Sequence, residues 1–328
     1  MGRLTGYIVG AGYMGDTHLK CYRDYNAADI IGVVDLNKDK GLSLAEKYGL
    51  KWFPSLEDAF EYKSVDFCDI CLPSFLHKDF VVKAIEFGAH VLCEKPFAIS
   101  LSDIDEMIAA SEKYSKRLLV AHVCRFMPQY YKAKEILESG SIGRPIIYEC
   151  FRESETPMWS WNSWLFDKTK SGGTLLDLSI HDLDIANWLL GVPKRHKAEL
   201  SGIKEKEFVN HTLSTIEYES GAVAHVTASH LLKKGHPFET SFKLIGTEGS
   251  IEFDSAVDPS VLNVYHTDSC ESIALNELEG SDDSYGYEIR EFTKALESGN
   301  SFRISPYEAR LAVETVNNLY EASTLSLI

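Results

Sequence analysis

The sequence predicts an α/β chain in two parts, a doubly wound parallel sheet followed by an α+β domain with an open, mainly antiparallel sheet. Three observations carry this. Apolar strand signals alternate with helix signals over residues 1–122. A glycine-rich turn closes the first strand, and beyond residue 123 the alternation gives way to successive strand segments separated by turns. The expected domains are therefore 1–122 and 123–328, with a terminal helix that can pack back on the first.

The first strand, Tyr7-Ile8-Val9, runs into Gly10-Ala11-Gly12-Tyr13-Met14-Gly15, a G-x-G-x-x-G. Gly10 suits the tight strand-to-helix turn, Gly12 lets a pyrophosphate approach the backbone, and Gly15 lets the helix pack on the sheet. The backbone amides of Tyr13 and Met14, at the positive end of the helix dipole, would cradle phosphate. A second strand, Ile30 to Val34, ends in Asp35, twenty residues past Gly15. A carboxylate there accepts from the ribose hydroxyls and repels a 2′-phosphate, so this is a Rossmann domain expected to bind NAD, with NADP less favoured. Lys38 and Lys40 nearby pull the other way.

The remaining elements follow in order. Asn37 to Tyr48 reads as a helix stopped by Gly49, and Ser55 caps another. Then come a strand at Phe67 to Leu72, a helix from Leu76 to Phe87, and a strand at His90 to Cys93. Ser100 to Tyr114 is helical and Arg117 to Ala121 a strand. In the second part, a helix from Pro128 to Gly140 precedes a strand at Pro145 to Phe151, and a helix spans Gly173 to Leu190. Strand segments at Val209 to Tyr218, Gly221 to His230, Phe238 to Ile245 and Ser250 to Phe253 follow, with closing helices at Tyr285 to Leu296 and Pro306 to Thr324.

With 328 residues and 45% hydrophobic content, the chain can bury a large core. No apolar run is long enough to span a membrane and no secretory pattern opens the chain, so cytoplasmic residence is expected. A net charge of −16 argues against nucleic acid and anionic membrane surfaces as partners. Seven cysteines without a framework fit reduced thiols. Cys68-Asp69-Ile70-Cys71 has redox spacing, but residues three apart on a strand point to opposite faces, so the two sulfurs should not converge.

Two stretches carry chemistry. Glu94-Lys95-Pro96 follows a strand at the carboxyl edge of the first sheet, where ligands bind in open α/β folds. Pro96 holds Lys95 out of helical geometry, on a stiff tip. Beside a cationic nicotinamide such a lysine can trade protons with a reacting hydroxyl; otherwise it is a surface partner of Glu94. The second stretch is Gly172-Gly173 followed by Asp177 and His181, four residues apart on one helix face. A carboxylate on one imidazole nitrogen raises the basicity of the other, as a general base for a secondary alcohol requires. The alternatives are a solvent-facing ion pair, or a metal held by Asp177, His181 and Asp184. No further His or Cys lies at helical spacing, so no metal site is expected. Trp159-Ser160-Trp161-Asn162-Ser163-Trp164 just upstream offers an aromatic face for a sugar's C–H surface at Trp161 and a hydroxyl partner at Asn162, or else a contact surface.

The ordered set of Gly10 to Gly15, Glu94-Lys95-Pro96, Arg125-Phe126-Met127-Pro128, and Gly172-Gly173 through Asp177 and His181 resembles the Gfo/Idh/MocA oxidoreductases, the glucose-fructose oxidoreductase and inositol dehydrogenase family. The resemblance extends to Gly246-Thr247-Glu248-Gly249-Ser250 and to the helix with Tyr285, Glu288 and Phe292, nearly the whole chain. It implies that Lys95, Asp177 and His181 surround the reacting carbinol. It further implies that Leu72, Pro73, His77 and Glu94 lie among the cofactor contacts and that Arg125 lines the substrate pocket. The activity so implied is hydride transfer between NAD and a secondary alcohol or ketone of a sugar, sugar derivative or inositol-like cyclitol. The substrate is then a small polyhydroxylated molecule, and the expected assembly is a homodimer or homotetramer. The alternatives are a relative that keeps NAD bound without net redox, as a glycosidase or transhydrogenase, and a non-catalytic NAD-binding sensor.

Overall fold

A computed structural model describes residues 2–158, 160–203 and 208–327. Two compact units emerge: residues 1–123 with 283–310, and residues 124–282 with 311–328. The division departs from two contiguous domains, because the chain returns to the first unit after residue 282.

In the first unit, strands β1 (Thr5–Val9), β2 (Asp29–Val34), β3 (Lys51–Phe53), β4 (Phe67–Ile70), β5 (His90–Glu94) and β6 (Leu118–Ala121) form one sheet in the order β3-β2-β1-β4-β5-β6. All its pairings are parallel. That is the doubly wound order in which ligands bind at the carboxyl ends of the strands, where the order reverses beside β1. Every residue of β4 and β6 is buried, as expected where helices cover both faces. Helices α1 (Tyr13–Asp24), α2 (Lys38–Tyr48), α3 (Leu56–Tyr62), α4 (His77–Glu86) and α5 (Leu101–Lys113) supply that cover. Their limits follow the local chemistry. The side chains of Asn37, Ser55 and Ser100 accept from first-turn amides, and Gly49 ends α2 in a left-handed conformation.

The second unit opens with α6 (Pro128–Glu138) and β7 (Pro145–Glu155), then the short α7 (Lys168–Ser171) and α8 (Ile180–Leu190). Strands β8 (Pro193–Ile203), β9 (Phe208–Tyr218), β10 (Val223–Leu232), β11 (Glu239–Gly246), β12 (Gly249–Asp254), β13 (Val261–His266) and β14 (Ser269–Ala274) come next. Helices α9 (Ser284–Ser298) and α10 (Pro306–Glu321) and strand β15 (Ser323–Leu327) finish the chain. The nine-stranded sheet has the order β14-β13-β12-β11-β7-β10-β9-β8-β15. It is mixed, since β7 pairs parallel with β10 and β8 with β15, while its other pairs are antiparallel. Along β7, Tyr148, Cys150 and Arg152 are buried and their neighbours more open, the alternation of a sheet with one covered face.

Two readings change. The expected continuous helix over Gly173 to Leu190 widens into a π-turn at Leu175–Ser179 before α8 runs on from Ile180. Side chains across to β9 hold that wider turn: the Thr174 hydroxyl donates to the Val209 carbonyl, and Ser179 Oγ lies 3.0 Å from Thr212 Oγ1. The last helix ends at Glu321 instead of Thr324, because residues 323–327 pair with β8 as an edge strand. The strands at 51–53, 193–203, 261–266, 269–274 and 323–327 carry weak sequence signals; β14, for example, is exposed almost throughout. Pairing with neighbours decides them.

Candidate active site

The glycine turn has the shape that a dinucleotide needs. Gly10 adopts a φ of +111°, and a Cβ on it would strike the Cys71 carbonyl. A Cβ on Gly15 would strike the Gly10 carbonyl, so this glycine sets the close approach of α1 to β1. Gly12 is the contrast: a Cβ there would meet nothing within 4 Å. The space before the first turn of α1 is open, and no side chain caps that turn, leaving the amides of Tyr13 and Met14 for an anion. A cavity of about 560 Å³ adjoins it, lined in part by Ala11, Gly12, Tyr13, Lys40 and Leu44, within the size range of small-molecule sites.

Asp35 stands at the end of β2. Its Oδ2 accepts the Ala11 N–H at 2.7 Å and its Oδ1 the Asn37 N–H at 2.7 Å. This carboxylate ties the glycine loop to the start of α2. These residues fit an NAD adenosine and pyrophosphate.

The loops after β4 and β5 bring Leu72, Pro73, His77, Glu94 and Lys95 together. His77 is fully buried, with Nε2 2.8 Å from the Leu72 carbonyl and Nδ1 3.0 Å from that of Pro96. Burial lowers its pKa, so a neutral ring clasps the two loops. Leu72 and Pro73 stay half-exposed at the strand end. Glu94 is also buried. Its Oε2 accepts the Lys95 N–H at 2.9 Å and its Oε1 lies 3.2 Å from His18 Nε2, so its side chain anchors the loop in the core. Lys95 is half-buried.

In the second unit the expected pair stands out by exposure. From Ser171 to Asn187 every residue is buried except Asp177 and His181. The i→i+5 turns of the π segment, frequent at functional sites, let these two residues open onto a common face of an otherwise enclosed helix. His181 Nδ1 lies 3.5 Å from the sulfur of buried Cys124. Asp177 Oδ2 lies 3.7 Å from Nε2 of His230, a β10 residue that sequence reading missed. His230 is anchored in turn by Ser154 of β7, with Oγ 2.6 Å from its Nδ1. A signal for it existed: His230 continues the buried alternation of Ala224, Val226 and Ala228, where a polar side chain needs a partner.

The helix is braced from below. Arg152 engages Asp182 at 2.6 and 2.9 Å, and Arg125 engages Asp184 at 2.8 and 2.7 Å, all four side chains being buried. Arg125, expected to line the substrate pocket, is buried in its pair with Asp184 and also stacks 5.2 Å over the Trp188 ring. Asp184, spent on Arg125, is no ligand for a metal beside Asp177 and His181. Asn162 is exposed with a left-handed backbone. Trp159 and the Trp161 side chain lie outside the described residues.

The sequence also matches known families. Residues 5–122 match the oxidoreductase family with the NAD-binding Rossmann fold, and residues 130–252 match the GFO/IDH/MocA C-terminal domain. A scyllo-inositol 2-dehydrogenase (NAD(+)) of Bacillus subtilis is 30% identical over 94% of this chain and 90% of its own length. A myo-inositol 2-dehydrogenase of Thermotoga maritima is 26% identical over 93% and 92%. Among solved structures, levoglucosan dehydrogenase in complex with NADH superposes with a TM-score of 0.88 at 22% identity, covering 98% of this chain and 97% of that one. Matches to both domains in order, and a relative 30% identical over nearly the whole chain, establish that this chain belongs to the Gfo/Idh/MocA family of NAD-binding oxidoreductases.

Proposed function

We propose that this protein is an NAD-dependent dehydrogenase acting on a secondary alcohol of a sugar, sugar derivative or inositol-like cyclitol. The observation that carries the chemistry is the exposure of Asp177 and His181 alone in the otherwise buried stretch from Ser171 to Asn187. Burying a helix on all sides while opening one acid and one imidazole keeps a proton acceptor oriented and nearly dry. His181 takes the hydroxyl proton at Nε2, since its Nδ1 faces Cys124. Asp177 supplies the negative charge that stabilises the imidazolium. Lys95, on its stiff tip, supplies the positive charge that stabilises the developing alkoxide. Bound NAD supplies the hydride acceptor. The preference for NAD over NADP rests on Asp35, whose carboxylate would repel a 2′-phosphate. The substrate class rests on the relatives, of which two carry inositol dehydrogenase names.

The test is a nicotinamide absorbance assay on the purified protein, with a panel of cyclitols and sugars and with NAD and NADP in parallel. Net reduction of NAD by at least one polyol is the expected result, and Asp35→Ala should narrow the ratio of NAD to NADP affinity. Substrate conversion without net change in free NAD(H) would mean a tightly held cofactor. Cofactor binding with no conversion of any compound would leave a sensor.

A further inference from the structure

Next to the tip that carries Lys95, the first unit encloses a cluster of ionisable side chains. His18 comes from α1, Asp69 from β4, Glu94 from the end of β5 and Glu288 from α9. Glu94 is 6% exposed and the other three 0%. His18 stands between two carboxylates, with Nδ1 2.9 Å from Asp69 Oδ2 and Nε2 3.2 Å from Glu94 Oε1. The second approach is an ion pair between the ring and the carboxylate. The other oxygen of Glu94 accepts the Lys95 N–H. Cys71 Sγ lies 3.5 Å from His18 Nδ1, and the Tyr285 ring packs 6.1 Å from the imidazole.

Charge accounting makes this a built arrangement. Burial alone would discharge His18, but the Asp69 carboxylate beside it raises its pKa well above the ordinary histidine value. Burial alone would likewise protonate Glu94, yet His18 and then Lys95 hold it below the ordinary carboxylate range. One imidazolium between two carboxylates leaves the trio negative, and a dry site will not accept a third anion. Glu288 accordingly keeps its proton: burial, then the Glu94 charge, push its pKa well above the usual value. Neither of its oxygens has a hydrogen-bond partner among the described residues. Apolar residues of the same volume would fill this space with no desolvation penalty. What they would not provide is a fixed carboxylate under the Lys95 amide.

We propose that His18 is a positioning residue for Lys95: clamped between Asp69 and Glu94, it fixes the carboxylate on which the Lys95 backbone hangs and so sets where the lysine points. The inference rests on Lys95 taking part in the reaction. A displacement of about 1 Å at a reacting group is enough to lower rates on the order of a hundredfold. His18 Nδ1, an Asp69 oxygen and Cys71 Sγ also lie within 4.8 Å of one another, close enough to hold a cation. The imidazolium already supplies that positive charge, with each ring nitrogen turned toward a carboxylate.

The experiment compares His18→Gln, Lys95→Ala and the double variant of the full chain for kcat with NAD, NAD dissociation constant, melting midpoint and bound metal. His18→Gln should lower kcat about 10- to 100-fold with little change in NAD affinity, and should have almost no further effect once Lys95 is alanine. If the glutamine variant does not fold, Glu94→Gln carries the same test, since it keeps an acceptor for the Lys95 amide and removes the charge that His18 holds. Losses that add in the double variant, unchanged kcat in a folded His18→Gln protein, or a stoichiometric metal would each overturn the proposal. Wild-type turnover in Lys95→Ala would instead remove the catalytic role of Lys95, and the positioning role with it.

Discussion

Each unit holds a cluster of histidine and carboxylate, and the two differ in their access to water. In the first unit His18, Asp69, Glu94 and Glu288 are sealed: His18 is clamped between two carboxylates and Glu288 keeps its proton. In the second unit Asp177 and His181 are the open residues of the otherwise buried stretch from Ser171 to Asn187, with buried arginines paired to Asp182 and Asp184. The same residue types therefore do opposite work. A sealed imidazole is committed to its neighbours and can only position backbone, whereas a half-open one keeps a nitrogen for chemistry. Exposure, more than residue identity, separates the two.

The largest effect that would break this contrast is at His181. His181→Ala should lower kcat on the order of a hundred- to ten-thousand-fold while NAD affinity stays nearly unchanged, because the dinucleotide residues belong to the first unit. Steady-state rates and a cofactor titration measure both. Near-normal turnover in this variant would show that the open pair is not the base. The brace should respond in stability instead. Asp184→Asn leaves the Arg125 guanidinium buried with a neutral partner, and denaturant unfolding should show a loss of about 3–5 kcal/mol. A loss below about 1 kcal/mol would mean that Arg125 relaxes to water and that the helix is not held by this pair.

The sealed cluster makes the smallest prediction, one of sign. Glu288 has a folded pKa above its unfolded value, so the stability it contributes is complete below the unfolded value and is lost as pH rises toward the folded one. Glu288→Gln keeps the shape without the titration. Relative to wild type it should gain stability between about pH 5 and pH 8, with the difference shrinking toward acid. Melting midpoints at both ends check this, and a difference independent of pH would show that the carboxyl is not held neutral by the fold.

Residues with a local pattern were legible before the structure. Gly10, Gly12 and Gly15 declare a turn by spacing alone, and Asp35 follows at the distance that one helix and one strand impose. Asp177 and His181 were found because helical spacing is a short-range rule. The partners of Arg125, His77 and Glu94 were not legible, because each spends polar atoms inward on Asp184, on loop carbonyls, and on His18 with the Lys95 amide, contacts that no local pattern announces. Asp69 offered a signal that went unread: a charge in a central parallel strand must be paired, and its partner lies 51 residues away.

The sequence by itself determined the parallel sheet, the glycine turn, the acid at the end of β2, the loop lysine and the order of the two folding patterns, because apolar period, caps and turn residues act over a few positions. Tertiary structure alone decided that residues 283–310 return to the first unit, that a π-turn opens Asp177 and His181, and that His18, Asp69, Glu94 and Glu288 meet. The physical reason is that burial is a property of the packed whole. Whether an imidazole or a carboxylate is charged, neutral, clamped or open depends on which distant side chains exclude water from it, and no short stretch of sequence carries that information.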